Sequence, residues 1–316
     1  MSDLIDIQSY PVQATLKVLL QDKTTKQNII WATDAYMDHG AGCADTAHIS
    51  EVDLCGVNSV VLKPRVNKAI EEQMDRTRKK AEVMTPVWLC NNMNNYCDTE
   101  WFGRENVFNI ECSNHEWDVV DAHVFFPDGK TWQQYVDSRR LEITCGEAPY
   151  LVSRYDVATG EMIFPPFRRI GILDRKLRIV NENAESEDDW IKWYIRAFQS
   201  CYGYEYQGDN LLIARINLIM TFYEYYKDYW KKEPERPILS KIANIISWNI
   251  WQMDGLKDTT PLGKPYEENR QMDIFEYFEN VGKEVSDEQE DKALPCKIMN
   301  WRDNDQVIYK TLKEIY

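Results

Sequence analysis

Three acidic residues in this chain each follow a short apolar segment, and that placement is the sequence's clearest chemical signal. Glu142 lies in Leu141-Glu142-Ile143-Thr144, which runs into the turn Cys145-Gly146-Glu147-Ala148-Pro149. Glu205 closes Tyr202-Gly203-Tyr204-Glu205, and Asp254 follows the apolar run 242–253 in Gln252-Met253-Asp254-Gly255-Leu256. At the carboxyl end of a parallel strand a carboxylate can accept hydrogen bonds from ribose hydroxyls or an amine, and a glycine there lets the backbone approach a ligand closely. One glycine does not make a Gly-rich loop, so the ordered series carries the reading. Three such acids would line one crevice.

That crevice requires strands alternating with helices. Residues 14–20 and 28–33 read as a strand pair around a polar turn at 22–26. Residues 67–80 read as a charged helix, and Thr85-Pro86 opens a second helix through Met93. A strand at 141–144 is followed by a helix over 188–199, with Trp190, Ile191, Tyr194, Ile195 and Phe198 at helical spacing. A strand at 202–206 leads into a helix over 209–229; the β-branched run 242–253 and the segment 296–299 read as further strands. This alternation predicts an α/β fold with a mostly parallel sheet. Residues 1–62 form a strand-rich region, 63–260 the main domain, and 261–316 an acidic helical tail with a final sheet strand at 296–299.

The 316 residues, 44% hydrophobic and 28% charged, suffice for a substantial core. No apolar run approaches the roughly 20 residues that span a bilayer, and the acidic start Met1-Ser2-Asp3 is unlike a secretory signal, so the expected location is the cytoplasm. With 52 acidic and 37 basic side chains the net charge is −15, which opposes non-specific attraction to nucleic acid. Contact with nucleic acid then requires a local basic surface. Arg76, Arg78, Lys79 and Lys80 offer one, and the loop-like stretch 168–178, with Arg168, Arg169, Arg175, Lys176 and Arg178, a second. The eight cysteines include no Cys-x-x-Cys pair and read as reduced thiols. His39, Cys43, His48 and Cys55 match no familiar zinc spacing, no nucleophile triad is discernible, and a Gly-x-x-x-x-Gly-Lys loop is missing.

In chain order, Glu82-Val83-Met84-Thr85-Pro86, the Leu141 to Leu151 turn, Gly203-Tyr204-Glu205 with Asp209-Asn210 and Ala214-Arg215, and Gln252-Met253-Asp254-Gly255-Leu256 resemble the S-adenosylmethionine motifs of amino-type DNA adenine methyltransferases. Modification subunits of restriction systems are the nearest likeness, over roughly residues 60 to 260. The resemblance implies a Rossmann-like fold. It also implies that Thr85 and Pro86 flank the methionine end of the cofactor, Glu142, Cys145 and Gly146 meet its amino acid portion, Glu205 takes the ribose and Asp254 the adenine amino group.

That family carries an Asn/Asp-Pro-Pro-Tyr/Phe tetrapeptide, which accepts hydrogen bonds from the target amine and stacks on the flipped base. It occurs nowhere in this chain. Asn300-Trp301 is the best-placed substitute, pairing an amide with a large aromatic face downstream of Asp254; Glu147-Ala148-Pro149-Tyr150 and Phe164-Pro165-Pro166-Phe167 are the others. The expected activity is therefore metal-free methylation of adenine N6 in double-stranded DNA, in a restriction-modification or phage-defence setting, beside a restriction or specificity subunit. The rival is a methyltransferase-like binding subunit without catalysis.

Overall fold

The computed structural model describes residues 4–57, 59–263 and 293–313. The chain opens on helix α1 (Val12–Leu19), not on a strand. Val12, Thr15, Leu16 and Leu19 are buried at spacings of three and four, which is the helical stripe that the apolar cluster Val18-Leu19-Leu20 disguised. Residues 28–33 form only isolated bridges, Gln21 with Asn28 and Ile30 with His48, so the strand-rich reading of this region is corrected. Nor does the region stand apart. Ile5, Leu16, Trp31 and Leu62 share one core with Leu211, Ile219 and Ile246.

After a short helix α2 (Glu51–Cys55) come α3 (Ile70–Lys80) and α4 (Val87–Phe102). The charged helix starts at Ile70 because Pro64 heads a separate 3-10 turn, Arg65–Asn67. Pro86 caps α4, which continues past Met93 until Gly103, at φ 69°, ends it. An antiparallel pair, β1 (Asn109–Glu111) and β2 (Trp117–Val119), then precedes α5 (Trp132–Asp137).

A three-stranded parallel sheet follows in the order β3 (Arg140–Glu142), β4 (Cys201–Glu205), β5 (Ile250–Gln252). Helices α6 (Ile172–Asn183) and α7 (Glu187–Gln199) connect β3 to β4; α8 (Gly208–Trp230) and α9 (Arg236–Asn249) connect β4 to β5. All five residues of β4 are buried, as expected of a parallel strand covered on both faces. The expected strand over 242–253 is mostly helix: Leu239, Ile242, Ala243, Ile245 and Ile246 face the core at helical spacing, and only Ile250, Trp251 and Gln252 extend into β5. The stretch 168–178 is likewise mostly helix, and only Arg168, ahead of it, is exposed. Arg169, Arg175 and Lys176 are buried, the latter two within α6.

The hairpin β6 (Lys297–Asn300) and β7 (Asp305–Ile308) pairs antiparallel with itself, so the expected final strand does not join the parallel sheet. With helix α10 (Tyr309–Lys313) it covers Tyr202, Tyr204, Trp251 and Met253 through Cys296, Ile298 and Tyr309. The acidic segment around 267–291 lies outside the described residues. The fold is therefore mixed α/β with small sheets, and among the described residues no helix is long and apolar enough to cross a membrane.

Candidate functional site

A cleft of about 1090 Å³ opens where β3 and β4 end. Its floor follows from strand register. Glu142 pairs with Gly203, and alternation along β4 puts Gly203 and Glu205 on the same face, so both carboxyls emerge on one side of the sheet. Gly203 leaves room for the buried Cys145 side chain, which a Cβ there would approach to 3.3 Å.

The turn after β3 is held in an unusual backbone. Thr144, Gly146 and Ala148 have φ of 45°, 52° and 64°, and a left-handed conformation is costly for a β-branched threonine. The two carboxyls compensate by fastening the surrounding loop. Glu142 accepts from the Tyr150 and Leu151 amides at 3.3 and 3.1 Å. Glu205 accepts from Gly146 N–H at 2.9 Å and Gln207 N–H at 3.1 Å. A Cβ on Gly146, itself at φ 52°, would meet Met84 Sδ at 2.9 Å, so a side chain there would displace the end of Met84.

Burial dominates the acidity of both groups. It pushes the Glu142 carboxyl up to about 8, against the opposing amides of Tyr150 and Leu151 and with added repulsion from Glu205. The Glu205 carboxyl rises to about 7 by burial, against the Gln207 and Gly146 amides and with repulsion from Asp209. Neither forms an ion pair among the described residues, whereas the acids next to them do. Asp209 is held by Lys68 and Arg76 at 3.0 Å each, and Glu82 by Arg65 and Arg76 at 2.8 and 2.6 Å.

Of the residues expected at a cofactor, Thr85, Glu142, Cys145, Gly146 and Glu205 line the cleft. Pro86 instead caps α4 outside it. Asp254 is not there either, which corrects the expected convergence of three acids. β5 ends at Gln252, which stands opposite Glu205, and Asp254 belongs to a tight turn where it pairs with Lys257 at 3.1 Å and accepts from Leu256 N–H.

Asn300 and Trp301 are at the other end of the sheet. Trp301 donates to Asn249, whose own amide donates to the carbonyls of Phe198 and Cys201, at the start of β4. Asn300 accepts from Arg139, the residue before β3. One β4 length, about 13 Å at 3.3 Å per residue, separates that end from Glu205, and neither residue lines the cleft. Phe164 and Phe167 lie outside it as well. Tyr150, by contrast, is in the cleft wall, its hydroxyl 3.0 Å from Met93 Sδ and its carbonyl held by Asn94. Its neighbour Glu147 is committed elsewhere, accepting from Arg65 N–H and the Tyr155 hydroxyl.

The basic surface divides. Arg76 is only 4% exposed and spent on Glu82 and Asp209, so it is removed from the phosphate-binding set. Arg78, Lys79 and Lys80 are exposed at the end of α3 and form the rim of the cleft. Gln207 was not foreseen; its only signal was its place two residues after Glu205. No family model, curated protein or solved structure matches this chain.

Proposed function

We propose that the cleft binds S-adenosylmethionine and that the chain is a Rossmann-like methyltransferase acting on N6 of adenine in double-stranded DNA, as a modification subunit beside a restriction or specificity subunit. The observation that carries this reading is the pair of buried carboxyls, Glu142 and Glu205, at the ends of adjoining parallel strands on the floor of one cleft. Doubly wound folds bind nucleosides at that edge. The acceptor set fits: Gln207 and Asn210 of the wall have carbonyl oxygens with no hydrogen-bond partner, matching a ligand rich in hydroxyl and amine donors. A volume of about 1090 Å³ is at the upper end for a single small molecule and leaves space for a flipped base.

When bound, the cofactor supplies an activated methyl group. The chain's own residues would bind and orient it, with Glu205, Gln207 and Asn210 toward the nucleoside and Glu142 and Thr85 toward the methionine end. Met84, Met93 and Tyr150 would exclude water and offer the base an apolar face. Arg78, Lys79 and Lys80 would meet phosphates.

The position of Asn300 and Trp301 away from the cleft favours a second reading, a subunit that binds cofactor or DNA without transferring the methyl group. Transfer of a labelled methyl group to adenine-containing duplex separates the two. The expected result is incorporation that Asn300→Ala leaves unchanged and Glu205→Gln lowers at least tenfold, an estimate from removing one positioned buried acceptor. Cofactor binding without transfer to any duplex would favour the binding subunit, and no binding of the cofactor would overturn both.

A further inference from the structure

We propose that the floor of the cleft selects its ligand by positive charge, with Glu142 and Glu205 as counter-charges that distinguish an adenosyl sulfonium from the neutral thioether left after methyl transfer. This rests on the cofactor reading above and adds a means of product release. In the transfer the C–S bond breaks with its electron pair remaining on sulfur, a C–N bond forms to the acceptor amine, and that amine loses a proton to solvent. The cleft thus exchanges a cationic ligand for one with no charge on sulfur.

The argument begins from a contrast between adjacent acids. Glu82 and Asp209 are saturated by Arg65, Lys68 and Arg76, so they need nothing from a ligand. Glu142 and Glu205, at 8% and 7% exposure, receive only backbone amides and form no ion pair among the described residues. A buried carboxylate without a cation is unfavourable, and a ligand cation is the partner the site lacks.

The wall supplies a second, independent observation. Gln207 and Asn210, 4% and 1% exposed, both donate their amide nitrogens to Glu82 Oε2, at 3.3 and 2.9 Å. Those bonds fix the amide orientation and leave the carbonyl oxygens unpartnered. Of the cleft's lining, the buried polar atoms without a partner are these two carbonyl oxygens, beside Glu205, and Arg140 Nε and Nη2, at the start of β3.

The charged and titratable surroundings are consistent. Glu205, Cys90, Cys145 and Tyr150 are electrostatically coupled to Glu142, and Asp209, Cys145 and, from the other face of β4, Tyr204 to Glu205, with Arg215 coupled to Cys145. Arg140, two residues before Glu142 on the same strand, also lines the cleft, and its charge acts on Tyr135, Lys176 and Cys201. Carboxyls that retain protons near neutral pH in the free protein give them up when a cation is seated. The thioether keeps the α-ammonium but lacks the charge on sulfur, so it calls for less release.

The experiment is titration calorimetry on the full chain with S-adenosylmethionine, S-adenosylhomocysteine and an analogue bearing an amine in place of the sulfonium. It is run from about pH 6 to about pH 8.5 in two buffers of different ionisation enthalpy. The two cationic ligands are expected to release protons near pH 7 and to bind about tenfold more tightly than the thioether at the upper pH, the preference shrinking to about twofold at the lower. Glu142→Gln, with Glu205→Gln as the alternative if the first fails to fold, is expected to reduce both effects. Equal affinities with no proton release would overturn the charge selection while leaving the cofactor reading intact. Failure of all three ligands to bind would overturn both.

Discussion

At the scale of single residues the account turns on two carboxyls whose burial works against their charge. Ordinary glutamates ionise near pH 4.5, whereas burial pushes Glu142 up to about 8 and Glu205 to about 7. Between those limits the folded protein binds more protons than the unfolded chain, so these groups contribute stability in acid that is lost as pH rises through the folded values. Replacing Glu142 by Gln, which mimics the protonated form, is expected to shift the stability difference in favour of the variant by roughly 2–4 kcal/mol between about pH 5 and pH 8.5. Urea denaturation at the two pH values measures it; a difference that stays constant would mean the carboxyl is not buried as described. The sequence marked both glutamates, because a carboxylate after an apolar strand is a local pattern. Asp254 followed the same pattern and failed, since the length of β5 depends on where α9 stops. The Asn300-Trp301 pair failed for a similar reason: chain order says nothing about which end of a sheet a hairpin covers.

At the scale of elements, α3 is fixed to the start of α8 by the ion network of Lys68, Arg76, Glu82 and Asp209. This network sets one wall of the cleft, because Glu82 belongs to both and holds the wall residues Gln207 and Asn210 by their amide nitrogens. Arg76→Ala removes the shared partner of two buried carboxylates and is expected to cost about 3–5 kcal/mol. Lys79→Ala, three residues on and exposed, breaks only a surface pair with Asp75 and is expected to leave stability almost unchanged. Thermal unfolding of the two variants side by side tests the contrast, and equal losses would contradict it. Helices α7 and α8 and strand β4 were legible because their apolar spacing was unambiguous over a long stretch or bounded by glycine and acid. Helices α1 and α9 were not, since continuous apolar runs such as Ile245-Ile246 fit either period and burial from the neighbouring helices decides. The basic cluster 168–178 was misread because composition cannot tell an exposed arginine from one committed to a buried acid, such as Arg175 with Asp98.

For the whole molecule, a net charge of −15 sets the terms on which DNA could bind. Only a local cationic rim can offset it, and Arg78, Lys79 and Lys80 at the end of α3 provide one beside the acidic floor. Neutralising these three together is expected to weaken duplex binding about equally across sequences and to lower the slope of log affinity against log salt by about 2–3. A fluorescence titration at several salt concentrations measures that slope, and an unchanged slope would assign the DNA surface elsewhere. The α/β class was evident from the sequence, but the sheet is smaller than its alternating pattern suggested, because the strands at either end of the chain became a helix and an independent hairpin. The most direct examination of the central claim is a crystal structure of the full chain soaked with S-adenosylmethionine. Ligand density between the ends of β3 and β4, with polar atoms within about 3.2 Å of Glu142 and Glu205, is the expected result; density anywhere else, or a cleft that remains empty at saturating ligand, would overturn it.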